Sequence, residues 1–186
     1  MSEKLAPLLA QNAIFQHLTA AQRDQAATLA QRRRFAAGSF VAHYGDVWPY
    51  LFIVGAGSVD AVKESADGRQ LIVLTLAPGE LFWGLAFFND GMKTPVALVA
   101  REATEIHTWP RDALLPLLLD TPQALWSLSQ KMVVRMGQAS QILEGLAFQP
   151  VSGRLARFLL DRFSDAGEAS LERSLTLDDI AARIGS

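Results

Sequence analysis

Tyr50-Leu51-Phe52-Ile53-Val54, then Gly55-Ala56-Gly57, then Ser58-Val59-Asp60-Ala61-Val62-Lys63 is the stretch that decides the fold. Two short apolar, β-branched runs stand on either side of a glycine pair. Such runs bounded by glycine read as strands, and glycine reaches positive φ at little cost, so the segment reads strand, turn, strand. Downstream, Asp67-Gly68 precedes Gln70-Leu71-Ile72-Val73-Leu74-Thr75-Leu76, and Pro78-Gly79 closes that run. These are turn signals with a mechanism, because proline presets φ and glycine supplies the left-handed corner. Residues 38–109 are therefore expected to form an antiparallel sandwich or barrel.

Helical texture flanks this region on both sides. Residues 1–36 are rich in Ala, Gln and Leu and are predicted helical, with Thr19 as an N-cap. Arg32-Arg33-Arg34 then reads as a solvated helix end, where cations suit the negative pole; contact with DNA or an acidic partner is the alternative. Pro110 suits a first helical turn, and Pro116 is expected to kink or break the short helix that follows. A long helix is predicted from Thr121-Pro122 to Phe148. Leu125, Leu128, Met132, Met136, Ala139, Leu143 and Leu146 repeat along it at steps of three or four, with one stutter. At 1.5 Å per residue the helix extends roughly 40 Å, longer than a small core needs. The stripe reads as a homodimer seam, with core packing as the alternative.

After Pro150 the segment Val151–Phe163 is amphipathic, with Leu155, Phe158, Leu159 and Phe163 on one face and Arg154, Arg157 and Arg162 elsewhere. Ser164–Leu171 is polar and loop-like. Thr176 then caps a short helix whose first turn holds Asp178 and Asp179 and which stops at Gly185-Ser186. A capped short helix ending at glycine is how a helix-turn-helix begins; the recognition helix would come next.

Composition narrows the function classes. The 186 residues carry Lys+Arg 17 against Asp+Glu 19, a net charge of -2, and no cysteine. Without cysteine there is no disulfide framework, thiolate zinc site, cysteine-held iron–sulfur cluster or cysteine nucleophile. The charge balance excludes a globally basic nucleic-acid coat, though not a local basic element. No stretch approaches the roughly 18 apolar residues of a membrane span, and no secretory signal follows Glu3-Lys4, so a cytoplasmic, membrane-free protein is expected. No Gly-x-Ser-x-Gly element, phosphate-binding loop or His-x-His pair supports an enzyme, and no metal site or cofactor is assigned.

Four segments in order resemble the Crp/Fnr family of bacterial transcription regulators. They are Gly45-Asp46 with Leu51–Val59, the hairpin Asp67–Leu74, the cassette Pro78–Phe88, and the hinge and helix Leu146–Leu160. The resemblance implies an α+β fold: an antiparallel, jelly-roll-like sensor over residues 1–120, a dimerisation helix over 121–148, and an incomplete winged helix-turn-helix over 149–186. It also implies a homodimer switched by a small effector, with DNA as partner of the complete C-terminal domain; a stand-alone sensor and dimerisation module without DNA binding is the alternative. Arg154, Thr176 and Ser186 are its candidate DNA-binding residues. Phe82, Trp83, Gly84, Leu85, Ala86, Lys93, Thr94 and Ser140 are its candidate effector residues.

The cassette departs from cyclic-nucleotide-binding members. The place of the ribose-binding glutamate falls on Gly84, and that of the phosphate-binding arginine on Thr94. Neither replacement supplies the lost interaction, and a hydrogen bond to a charged group is worth roughly 1.5–3 kcal/mol, so cyclic AMP is not the expected effector. Lys93 lacks the bidentate fork of arginine. Phe82, Trp83, Phe87 and Phe88 crowd the same segment. They suggest an apolar or aromatic effector pocket, in which backbone N–H groups at Gly84-Leu85-Ala86 hold an anionic group, or else a filled, effector-free roll. A haem-sensing variant would draw on His17, His43 or His107 with Met132 or Met136, although each histidine also reads as structural or solvated.

Overall fold

The computed structural model describes residues 5–163 and 175–186; the predicted polar loop Ser164–Leu171 lies outside them. Two four-stranded antiparallel sheets face each other. One contains β1 (Gln31–Phe35), β3 (Tyr50–Ala56), β6 (Leu81–Trp83) and β8 (Thr104–Pro110) in the order β1-β8-β3-β6. The other contains β2 (Phe40–Ala42), β4 (Val59–Glu64), β5 (Gln70–Leu76) and β7 (Ala97–Ala100) in the order β2-β7-β4-β5. The α+β, jelly-roll-like arrangement read from the sequence is present, with both sheets open at their edges.

The unbroken apolar run in β3 has a physical cause. Successive side chains of a strand point to opposite faces. Phe52 and Val54 pack between the sheets with Ile106, Ala61, Leu76 and Leu98. Leu51 and Ile53 pack outward onto helices, in a cluster with Phe15, Leu18, Trp109, Leu118 and Leu128. Those helices are α1 (Leu5–Gln11), α2 (Ala20–Leu29), α3 (Arg111–Leu119) and the start of α4 (Pro122–Phe148). Trp109 closes the layer by donating its indole N–H to the Ala26 carbonyl at 2.7 Å. After α4 the described residues form two further helices, α5 (Val151–Phe163) and α6 (Leu177–Ile184).

The caps form as the sequence indicates. Thr19 and Thr176 each make a full capping box, with Gln22 and Asp179 as the reciprocal partners. Gly185 ends α6 at φ 69°, a left-handed corner that favours glycine. Other expectations are corrected. The first helical region stops at Leu29, and Arg32-Arg33-Arg34 lies in β1, paired with Glu105–His107 of β8. Arg34 meets Glu105 at 2.9 Å and Arg33 lies over the Tyr50 ring, so sheet pairing and tertiary partners override a helix-end role. Pro110 stands one residue ahead of α3 as its N-cap. Pro116 does not break α3, because Leu114, Leu117 and Leu118 are buried and hold the helix against the core.

Candidate functional site

The cassette between β6 and β7 borders a half-open cavity of about 200 Å³. Its walls are mostly carbon: Val73 and Leu74 of β5, Phe82 and Trp83 of β6, Leu85, and Val96. Phe82 and Trp83 stack with their rings 6.3 Å apart. Of the predicted effector residues, Phe82, Trp83, Gly84, Leu85 and Thr94 line this cavity. Ala86 is buried, Lys93 points to solvent and Ser140 is exposed on α4, and none of the three lines it. Phe87 belongs to the helical core, at 0% exposure.

Gly84 is there for space. Its backbone passes so close to Trp48 that a Cβ would overlap the Trp48 carbonyl oxygen and stand 2.9 Å from ring carbon Cε3. Its φ of -74° suits any residue, so close approach alone demands glycine. The Gly84 N–H is engaged by the Tyr50 carbonyl at 2.8 Å, which corrects the expectation that it holds an anion. Thr94 is fixed by its backbone: its N–H donates to Asp46 O at 2.8 Å and its carbonyl accepts from Gly45 N–H at 2.9 Å. Its side chain is different. Thr94 is 2% exposed, and its Oγ1 has no hydrogen-bond partner.

Arg135 of α4 reaches the same cavity and is the charged side chain among its described lining residues. Its guanidinium meets Glu80 Oε1 at 3.4 Å and Gln138 Oε1 at 3.2 Å. Burial lowers its pKa and Glu80 opposes that shift, yet a guanidinium stays charged throughout the ordinary pH range. Sequence reasoning missed Arg135. The available signal was its phase: it follows Leu128 by one heptad and Met132 by three residues, on the face of α4 that turns inward.

The long helix divides its apolar residues between two faces. Leu125, Leu128 and Met132, expected at a dimer seam, pack on the chain's own core. Met136, Ala139 and Leu143 are exposed, and Leu146 lies beside α6. An exposed stripe runs through Trp126, Val133, Met136, Ser140 and Leu143, at steps of seven, three, four and three, and shares Met136 and Leu143 with the predicted one. Its spacing is heptad-like.

The C-terminal segment docks on the second sheet. Arg183 of α6 donates to Thr75 Oγ1 at 2.9 Å, and Thr75 in turn donates to Asp60 Oδ1 at 2.6 Å. Arg183 Nη2 lies 3.8 Å from Asp60, and Arg101 lies 4.0 Å from Asp179. Leu71 of β5 stands against Gly185. Arg154, expected at DNA, is engaged internally: it donates to Ile184 O at 2.6 Å, Gly185 O at 3.0 Å and Gln149 O at 2.8 Å. It ties the hinge to the end of α6, where exposed carbonyls favour a cation. The Thr176 hydroxyl is the cap of α6.

The three histidines occupy separate elements. His17 pairs with Ser127 Oγ at 3.0 Å and His43 stacks on Phe40. His107 is buried beside Glu105, the structural of its two readings. Met132 packs in the core and Met136 is exposed. Among the described residues no group of His, Cys, Asp and Glu could hold a metal ion, and no helix is long and apolar enough to cross a membrane.

Residues 32–121 match the cyclic nucleotide-binding domain family, so the two sheets and their cassette define a domain of that class. The chain is 28% identical over 157 residues to the CRP-like cAMP-activated global transcriptional regulator of Mycobacterium tuberculosis, covering 82% of this chain and 70% of that protein. It is 29% identical over 147 residues to the cyclic AMP receptor protein of Thermus thermophilus, covering 79% and 68%. The fold superposes on the c-di-GMP-responsive global regulator CLP of Xanthomonas campestris with TM-score 0.75 and 24% identity, over 90% of this chain and 85% of that one. The chain is homologous to the Crp/Fnr regulators of transcription.

Proposed function

We propose that this protein is a Crp/Fnr-type transcription regulator whose β-roll senses a small molecule other than cyclic AMP. The observation that carries the second half is the packing at Gly84. No side chain fits there, so the ribose-binding carboxylate of nucleotide-binding members has no place to stand. Thr94, at the place of their phosphate-binding arginine, carries no charge. The protein acts in the cytoplasm as a homodimer through the Trp126–Leu143 stripe of α4, binds DNA through its C-terminal domain, and is not an enzyme. Effector binding repacks the dimer and so changes the spacing of the two DNA-reading heads, a population shift between two arrangements.

The test has two parts. Sedimentation equilibrium of the natural full-length protein should give a dimer, and Leu143→Glu should yield monomer. Selection from a pool of random duplexes should return an inverted repeat, the mark of a two-fold symmetric reader. A monomeric wild type, or selected duplexes without symmetry, would overturn the reading. Cyclic AMP should leave both DNA affinity and thermal stability unchanged; stabilisation by micromolar cyclic AMP would reject the non-nucleotide effector.

A further inference from the structure

We infer that the cassette cavity takes a small monocarboxylate with an apolar, ring-sized body, and that Arg135 clamps the carboxylate by exchanging Glu80 for it. This rests on the reading of the roll as an effector sensor and names the chemical class it senses. Three independent features of one cavity converge on that class. The first is size and wall chemistry. About 200 Å³ lies below the roughly 300–1,000 Å³ of ordinary ligand clefts, so the occupant is small. Val73, Leu74, Phe82, Trp83 and Val96 face it with carbon, and stacked Phe82 and Trp83 offer a flat wall.

The second feature is the cation. Arg135 is drawn in from α4 and is mostly covered, at 18% side-chain exposure. Its contacts are long: 3.4 Å to Glu80 and 3.2 Å to Gln138, each through a single nitrogen. A guanidinium satisfied in this way has not formed its bidentate pairing with a carboxylate, the shorter and stronger arrangement. Glu80 has another tie, since its Oε2 accepts the Ala77 N–H at 2.9 Å. It is therefore held back from a closer approach to Arg135. An incoming carboxylate can take the fork. The third feature is Thr94. Thr94 is 2% exposed and lines this cavity, and its hydroxyl, like two guanidinium nitrogens of the remote Arg183, is a buried polar group without a hydrogen-bond partner. A ligand carboxylate has several acceptor sites, enough for both the fork and a hydroxyl. A neutral apolar ligand would leave Arg135 and Thr94 as they are. A cyclic nucleotide would find no side-chain acceptor at Gly84 and no charge at Thr94.

The test is calorimetric titration of the dimeric protein with benzoate, cyclohexanecarboxylate and 4-methylpentanoate, alongside benzamide, methylphosphonate and cyclic AMP. Tryptophan fluorescence is a second readout, because Trp83 forms a wall. At least one of the three carboxylates should bind at submillimolar concentration, and benzamide at least tenfold more weakly than benzoate. Arg135→Gln should weaken the carboxylate on the order of ten- to hundredfold. Glu80→Gln, which leaves the cation in place, should tighten it severalfold, and Thr94→Val should weaken it severalfold. No binding by any of the three carboxylates at 10 mM, equal binding of benzamide, or an unweakened Arg135→Gln would overturn the inference. So would a Glu80→Gln variant that binds no more tightly than wild type. The dimer and duplex-selection experiments need none of these ligands, so they can succeed where this one fails. Preferential binding of cyclic AMP would reject both the carboxylate and the non-nucleotide effector, and would leave the regulator standing.

Discussion

Gly84→Ala adds one methyl group at the most crowded point of the cassette. The new Cβ would overlap the Trp48 carbonyl oxygen and press on the indole at 2.9 Å, both buried and neither at the end of a flexible chain. The backbone must move. Overpacking of a filled site costs about 1–3 kcal/mol, and a displaced Gly84 loses the 2.8 Å bond to Tyr50 O, worth about 0.5–1.5 kcal/mol net. The expected destabilisation is about 2–4 kcal/mol. In a chain of this length, 1 kcal/mol shifts Tm by about 2–4 °C, so the melting temperature should fall by about 4–16 °C. Urea titration followed by circular dichroism, with thermal melts in parallel, measures both quantities. The denaturant slope should not change, since the unfolded surface is the same. Gly84→Glu should be destabilised further and should gain no affinity for cyclic AMP. A Gly84→Ala protein within about 0.5 kcal/mol of wild type, the range of ordinary surface changes, would refute the close-approach argument. Cyclic AMP binding by Gly84→Glu would refute the functional use made of it.

Other perturbations read other parts of the molecule. Arg154→Ala removes the donor to Gln149, Ile184 and Gly185, so hydrogen exchange in α6 should accelerate at least tenfold while exchange in β3 is unchanged; equal protection in both proteins would show that Arg154 does not hold α6. Thr176→Ala deletes a helix cap and should cost about 1 kcal/mol in a denaturant titration, with no loss if the capping box is idle. His107 carries a pKa lowered chiefly by burial, with Arg32 adding to the shift and Glu105 opposing it. The unfolded chain therefore takes up the proton more readily. Stability should be complete above the unfolded value of about 6.5 and should decline as pH falls below it, towards the lowered folded value. His107→Gln should flatten melting temperature against pH between 7 and 5, and an unaltered profile would assign that slope to other groups.

Local signals in the sequence proved legible where the chain settles its own structure. The glycine-bounded runs around β3, both threonine caps and the Gly185 stop depend on residues within a few positions of each other. The misplaced features depend on distant partners. Arg32-Arg33-Arg34 carries no strand pattern of its own, and Glu105 and Tyr50 decide its state. On α4 the first half of the expected stripe turns onto the core and the second half stays exposed, because the helix has two apolar faces. Leu128 and Met132 meet the core, while Val133 and Met136 do not, and spacing along one dimension cannot say which face meets which surface. The cavity was half visible. Phe82, Trp83 and Thr94 lie in one segment of the chain, between the start of β6 and β7, whereas Arg135 arrives from α4.

Strand β5 serves two neighbours at once. Val73 and Leu74 form part of the cavity wall, and Leu71 and Thr75 of the same seven-residue strand hold α6. Reciprocity of linked equilibria then fixes what this strand can transmit. A ligand that favours the docked position of α6 by tenfold is itself held tenfold tighter when α6 is docked. DNA that draws α6 away from β5 must weaken that ligand by the same factor, and a ligand indifferent to α6 would be invisible to DNA. The size of the signal is therefore set by how differently β5 packs in its two states. The cavity's own affinity enters only through that difference.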